Sequence, residues 1–173
     1  MAVVDNNVLS ALAKIDRLDW LPKVFDTVMT TPSVLDELHR DEVSGYAFVS
    51  RIDGVKSYNG GWLRVVAPIE DELERTEAVL DGSLSFTDAE CIAVAEKRDT
   101  QLLTDDGHIG EIASQNGVDV WDLLLFLEAC VHRGLIGSEE ELDTVLEDLR
   151  EKDFYRFSAD DRDRLYRRIE DEQ

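Results

Sequence analysis

Apolar positions along the chain fall into two alternating patterns. Short runs rich in β-branched residues, AVVD at 2–5, VMTTP at 28–32, WLRVVAP at 62–68, QLLTD at 101–105 and VDVW at 118–121, read as five strands. Between them the spacing turns helical. Val8, Leu9, Leu12, Ile15, Leu18 and Leu21 make one stripe over 7–26, interrupted near Asp16 and ended around Pro22. Pro32 suits the first position of the next helix, which carries Val34, Leu35 and Leu38. Helices are also expected over 43–60, closed by Asn59-Gly60-Gly61, and over 69–80, 87–98, 106–116 and 122–133, the last stopping at Gly134. Ser138 and Glu141 form a capping box for a helix to about 150, and Ser158 with Asp161 opens a final one.

Strands alternating with helices imply the α/β class: a mainly parallel sheet covered on both faces, which right-handed crossovers turn into a three-layer α/β/α sandwich. There is no internal repeat, low-complexity stretch or clear linker. Residues 1–173 are expected to form a single domain with a C-terminal helical extension at about 138–173.

Composition sharpens the class. Apolar residues make up 43% of the 173, enough for one sizeable core. No apolar run approaches the length of a membrane span, and the first ten residues lack a signal-peptide pattern, so a soluble, cytoplasmic protein is expected. Cys91 and Cys130 each sit in an apolar helical pattern without metal-ligand spacing and read as buried free thiols. His39, His108 and His132 are too scattered for a metal trio.

Charge adds a further constraint. Thirty-nine acids face 18 bases, for a net charge of −21, and lysine occurs only at 14, 23, 56, 97 and 152. The acids are spread along the whole chain, which points to a halophilic source, whose molar cytoplasmic salt shortens the Debye length to roughly 3 Å. Such a surface opposes a polyanionic ligand. Arg162, Arg164, Arg167 and Arg168 cluster near Phe154, Tyr155 and Phe157, a combination that can track phosphates and stack bases. Asp160, Asp161 and Asp163 interleave with them, and a solvated, self-balanced helix face is the simpler account.

In an open parallel sheet, ligands bind beyond the carboxyl ends of the strands. Asp5 closes the first strand, and Asp105 and Asp106 follow the fourth. Asp88 opens the helix after Thr87, and Glu37 lies in the second turn of the helix after the second strand. One strand-end acid is ordinarily a solvated carboxylate or a helix cap. Several converging on one edge repel one another, and a divalent cation is the usual compensation. An all-oxygen set favours Mg²⁺ or Mn²⁺ over zinc.

These residues resemble the PIN-domain family. The likeness runs through Val3-Val4-Asp5-Asn6-Asn7-Val8-Leu9, Pro32 to Leu38, Leu84-Ser85-Phe86-Thr87-Asp88-Ala89-Glu90, Leu102-Leu103-Thr104-Asp105-Asp106, and Gly117 to Ile136, with Phe154 to Leu165 like the tail of one archaeal and bacterial branch. The order and spacing of these motifs carry it, over nearly the whole chain. The resemblance implies strand order 3-2-1-4-5 and a Mg/Mn-dependent endoribonuclease, with Asp5, Glu37, Asp88 and Asp106 as catalytic metal ligands. Asp105 is the alternative to its neighbour, Asp36 and Glu90 are further acids nearby, and Asn7 and Thr104 are supporting residues. Asn6 departs from the family, standing where a small hydroxyl residue is usual. The resemblance further implies RNA as substrate, a toxin or RNA-processing role, a small antitoxin protein as partner, and a homodimer. A PIN-fold module that binds RNA or protein without cutting is the competing reading. A receiver-type signalling domain fits less well, because the third strand ends in Val66-Ala67-Pro68 rather than in a phosphoacceptor Asp.

Overall fold

A computed structural model describes residues 1–40 and 45–172 of the chain. Its strands are β1 (Ala2–Val4), β2 (Val28–Thr30), β3 (Leu63–Val65), β4 (Gln101–Leu103) and β5 (Val120–Trp121). They form one sheet in the order β3-β2-β1-β4-β5, parallel throughout. β1 lies at the centre, and all three of its residues are buried.

Helices alternate with the strands as expected: α1 (Asn6–Lys14), α2 (Leu21–Val24), α3 (Pro32–Leu38), α4 (Ala47–Gly54), α5 (Glu70–Val79), α6 (Phe86–Lys97), α7 (Gly107–Gln115), α8 (Leu123–His132), α9 (Glu139–Lys152) and α10 (Ala159–Glu172). The chain first winds from β1 outward through β2 to β3, then crosses back to β4 and β5. Right-handed crossovers in opposite directions place helices on both faces of the sheet. β1 therefore has neighbours reached in opposite directions, and a crevice opens beyond the carboxyl ends of β1 and β4.

The stripe over 7–26 is interrupted at Asp16 as expected, through a left-handed backbone (φ 58°), and divides into α1, a 3-10 turn at Leu18–Trp20 and α2, which Pro22 helps to open rather than end. A second expected helix is broken. Of the helix expected over 43–60, residues 43–44 lie outside the described residues. The remainder forms α4 and a 3-10 turn at Ser57–Asn59, then doubles back so closely that a Cβ on Gly61 would lie 2.0 Å from the Val55 carbonyl oxygen. Among the described residues no helix is long and apolar enough to cross a membrane.

Packing fixes the elements that flank the crevice. α6 lies against β1 and β4 and packs along α5. Arg98, just past α6, donates twice to the buried Glu72 of α5, at 2.6 and 3.0 Å. On the other flank α10 packs on α8, where Arg164 donates twice to the buried Glu128, at 2.7 and 2.5 Å. Both cysteines are buried and free.

Candidate functional site

Asp5 follows β1 directly and is the N-cap of α1: its Oδ1 accepts from the Val8 backbone N–H at 3.0 Å. Strand and helix meet at this one residue, which leaves the carboxylate only 6% exposed. Burial pushes its pKa up from 3.8 to about 7, against the Thr104 hydroxyl and the Val8 N–H, which pull it down; the carboxylates of Asp88 and Asp105 raise it further.

Asp88 sits in the first turn of α6 and shares a capping box with Ser85, accepting from the Ser85 N–H at 3.2 Å and hydroxyl at 2.6 Å. Glu90, two residues on, is buried, and its Oε1 has no hydrogen-bond partner among the described residues. The Cys91 thiol next in the chain senses this group: after burial, the carboxylates of Asp5, Glu90 and Asp88 all push its pKa upward.

After β4 the chain presents Thr104, Asp105 and Asp106 in three environments. Thr104 is buried, and its Oγ1 accepts from the Asp106 N–H at 3.3 Å. Asp105 is half-buried and accepts from the Leu123 N–H and the Tyr155 hydroxyl, each at 3.1 Å. Burial raises its pKa, as do Asp122 and Asp153, despite those two donors. Asp106 is exposed and caps α7, accepting from His108 N–H at 2.9 Å and Ile109 N–H at 3.2 Å.

Glu37, on α3, shares with Asp105 a cleft of about 390 Å³ whose walls also include Asn6, Asn7, Asp153 and Tyr155. Asn6 Nδ2 donates to Glu37 at 3.3 Å, while its Oδ1 accepts from Ser10 at 2.9 Å. The residue that departs from the family pattern thus links α1 to the Glu37 carboxylate. Asn7 is an exposed part of the cleft wall, and Asp5 rather than Asn7 takes the helix-capping position. Asp36 is exposed.

The structure therefore draws Asp5, Asp88 and Asp105 into one electrostatic group, lines the Asp105 cleft with Glu37, and leaves Asp106 exposed. Among the described residues no three His, Cys, Asp or Glu side chains are closed tightly enough to hold an ion as they stand. The donor chemistry nevertheless fits a hard cation. Burial among other acids makes Asp5 ionise less readily than an ordinary carboxyl, and Glu90 has a buried oxygen with no donor to accept from among the described residues.

Tyr155 and Asp153, which line the cleft from the α9–α10 connector, were not legible as site residues. Their contacts are long-range: Tyr155 with Asp105, and Asp153 with Lys14 at 2.6 Å. Of the arginines and aromatics that the sequence groups together, Tyr155 lines the cleft, and none of the four arginines is among its lining residues. Arg164 is committed to Glu128, while Tyr155 and Phe157 pack edge to face at 4.8 Å between ring centroids.

A family model described as a PIN domain matches residues 1–170. No curated protein and no solved structure matches the chain significantly.

Proposed function

The chain belongs to the PIN-domain family, with the nuclease-type fold of that family, and on that premise we propose that it is a divalent-metal-dependent endoribonuclease acting in the cleft beyond β1 and β4. The observation that carries the proposal is Asp5, a buried carboxyl among acids whose pKa lies at about 7. A positive charge beside such a group favours its ionised form.

Asp5, Asp88 and Asp105, with Glu37 on the cleft wall and the exposed Asp106, would hold Mg²⁺ or Mn²⁺, as hard ions suit oxygen donors. The bound ion would supply an activated water and neutralise charge at the scissile phosphate. The chain's own residues prepare for this. Val8 N–H and the Thr104 hydroxyl favour the ionised form of Asp5. Leu123 N–H and Tyr155 fix Asp105, Asn6 holds Glu37, and Asn7 is free on the cleft wall to meet the substrate backbone.

RNA is the proposed substrate. A toxin role and an RNA-processing role both suit this chemistry, and a small antitoxin protein and a second copy of the chain are the proposed partners. The open spacing of the acids favours one second reading, a PIN-fold RNA- or protein-binding module that does not cut. Cleavage of an RNA panel with Mn²⁺ in molar KCl, by the wild type and by Asp5→Asn, separates the two. The proposal expects cleavage that Asp5→Asn abolishes, and equal cleavage by both proteins would sink it. Under the second reading neither protein cuts.

A further inference from the structure

Beside the cleft, and sharing Lys14 and Phe48 with it, is a second depression of about 560 Å³ whose lining includes Lys14, Tyr46, Phe48, Arg51, Lys152 and Phe154. Tyr46 stacks on Phe48 with ring centroids 6.0 Å apart and planes at 26°. The Lys14 ammonium stands 5.0 Å from the centre of the Phe48 ring. Tyr46 and Phe154 are 59% and 86% exposed.

Phe154 is the least expected of these residues. It follows the α9 C-cap, Asp153, with a left-handed backbone (φ 57°), at a position that Gly or Asn usually takes. Its neighbours Asp153 and Tyr155 both donate backbone N–H groups to the Leu149 carbonyl at 3.1 Å, which fixes the turn. A bulky side chain in this conformation is strained, and a ring left in water adds a second cost. Neither contributes to folding.

Charge selects the occupant. Two of the five lysines of a chain with net charge −21 line this depression. Lys14 pairs with Asp153 at 2.6 Å and Lys152 with Asp148 at 2.8 Å, while Arg51 donates to the Ala13 carbonyl at 2.6 Å. The Lys152 pair is the more solvent-accessible, weak and readily exchanged for a phosphate, while the Lys14 pair is partly buried. The patch is near neutral on an otherwise acidic chain, so a polyanion meets less repulsion here.

We propose that this depression is a landing platform for single-stranded RNA, a reading that rests on the ribonuclease proposal above. Bases stack on Phe154 and Tyr46, phosphates meet Lys14, Arg51 and Lys152, and the strand passes by Phe48 into the cleft at Asp105. A duplex keeps its base faces covered, so stacking selects single strands.

The test measures binding without cutting. In an Asp5→Asn background, the affinity of a labelled RNA of about ten nucleotides is read by fluorescence anisotropy, as a single strand and as a duplex. Tyr46→Ala and Phe154→Gly are then added separately. Phe154→Gly also relieves the left-handed backbone, so its thermal midpoint should stay level or rise while binding falls. The single strand should bind more tightly than the duplex, and removal of each ring should weaken it about tenfold. Equal affinity for strand and duplex, no single-strand binding, or undiminished binding by Phe154→Gly would each overturn the platform. Wild-type cleavage is scored separately: its absence defeats the ribonuclease reading, whereas intact cleavage with ring-independent binding defeats only the platform.

Discussion

Asp5 must cap a helix and also share a crevice with other acids, and the two demands give it an unusual pH response. Its native pKa of about 7 stands above its unfolded value near 3.8. A raised acid stabilises the fold below the unfolded value, and that contribution is lost as pH rises through about 7. Asn keeps an acceptor for the Val8 N–H without the charge. Metal-free Asp5→Asn should therefore exceed the wild type in urea stability near pH 8 by on the order of 2–4 kcal/mol, with the gap closing near pH 4. Mn²⁺ should stabilise only the wild type, and parallel pH profiles for the two proteins would refute this. The same scale explains what the sequence left open at Asp105 and Asp106. Successive residues at a strand end point to opposite sides, so neighbours of identical type end in different places. One meets Leu123 and Tyr155, and the other caps α7. Composition alone offers no means of choosing between them.

At the scale of elements, most of the fold was legible because local signals and burial agree. β-branched runs marked β1, β2, β3 and β5, Pro32 opened α3, and Ser138 caps α9. The departures arise where tertiary geometry overrides periodicity, as after α4, where the chain doubles back at Gly61 against Val55 instead of continuing one helix to residue 60. The least legible element is the α9–α10 connector, since the partners of Tyr155 and Asp153 lie 50 and 139 residues away and leave no local trace. Beyond it, α10 is tied to α8 through Glu128, 6% exposed at its side chain, and Arg164, 53% exposed. Arg164→Ala leaves that carboxylate buried without its partner. Because the arginine is half in solvent, the expected loss is about 1–3 kcal/mol, read from the shift in urea midpoint. Arg168→Ala on the same helix should cost less than half as much. Equal losses would mean that the pair does not hold α10.

For the molecule as a whole, −21 on 173 residues is a standing self-repulsion, while the core beneath it is ordinary in kind. Added KCl should therefore raise the thermal midpoint steadily toward molar concentrations, as the screening length contracts to roughly 3 Å. A midpoint independent of KCl would show that the acidic coat carries no penalty. The one wall of the cleft contributed from far along the chain has a consequence of another kind. Asp105 receives its tyrosine hydroxyl from residue 155, and Lys14 its carboxylate partner from residue 153. During synthesis the strands and their acids leave the ribosome well before this connector does. A nascent chain can thus assemble the sheet while its cleft still lacks one side. The order of translation then delays completion of the cleft until the connector has emerged.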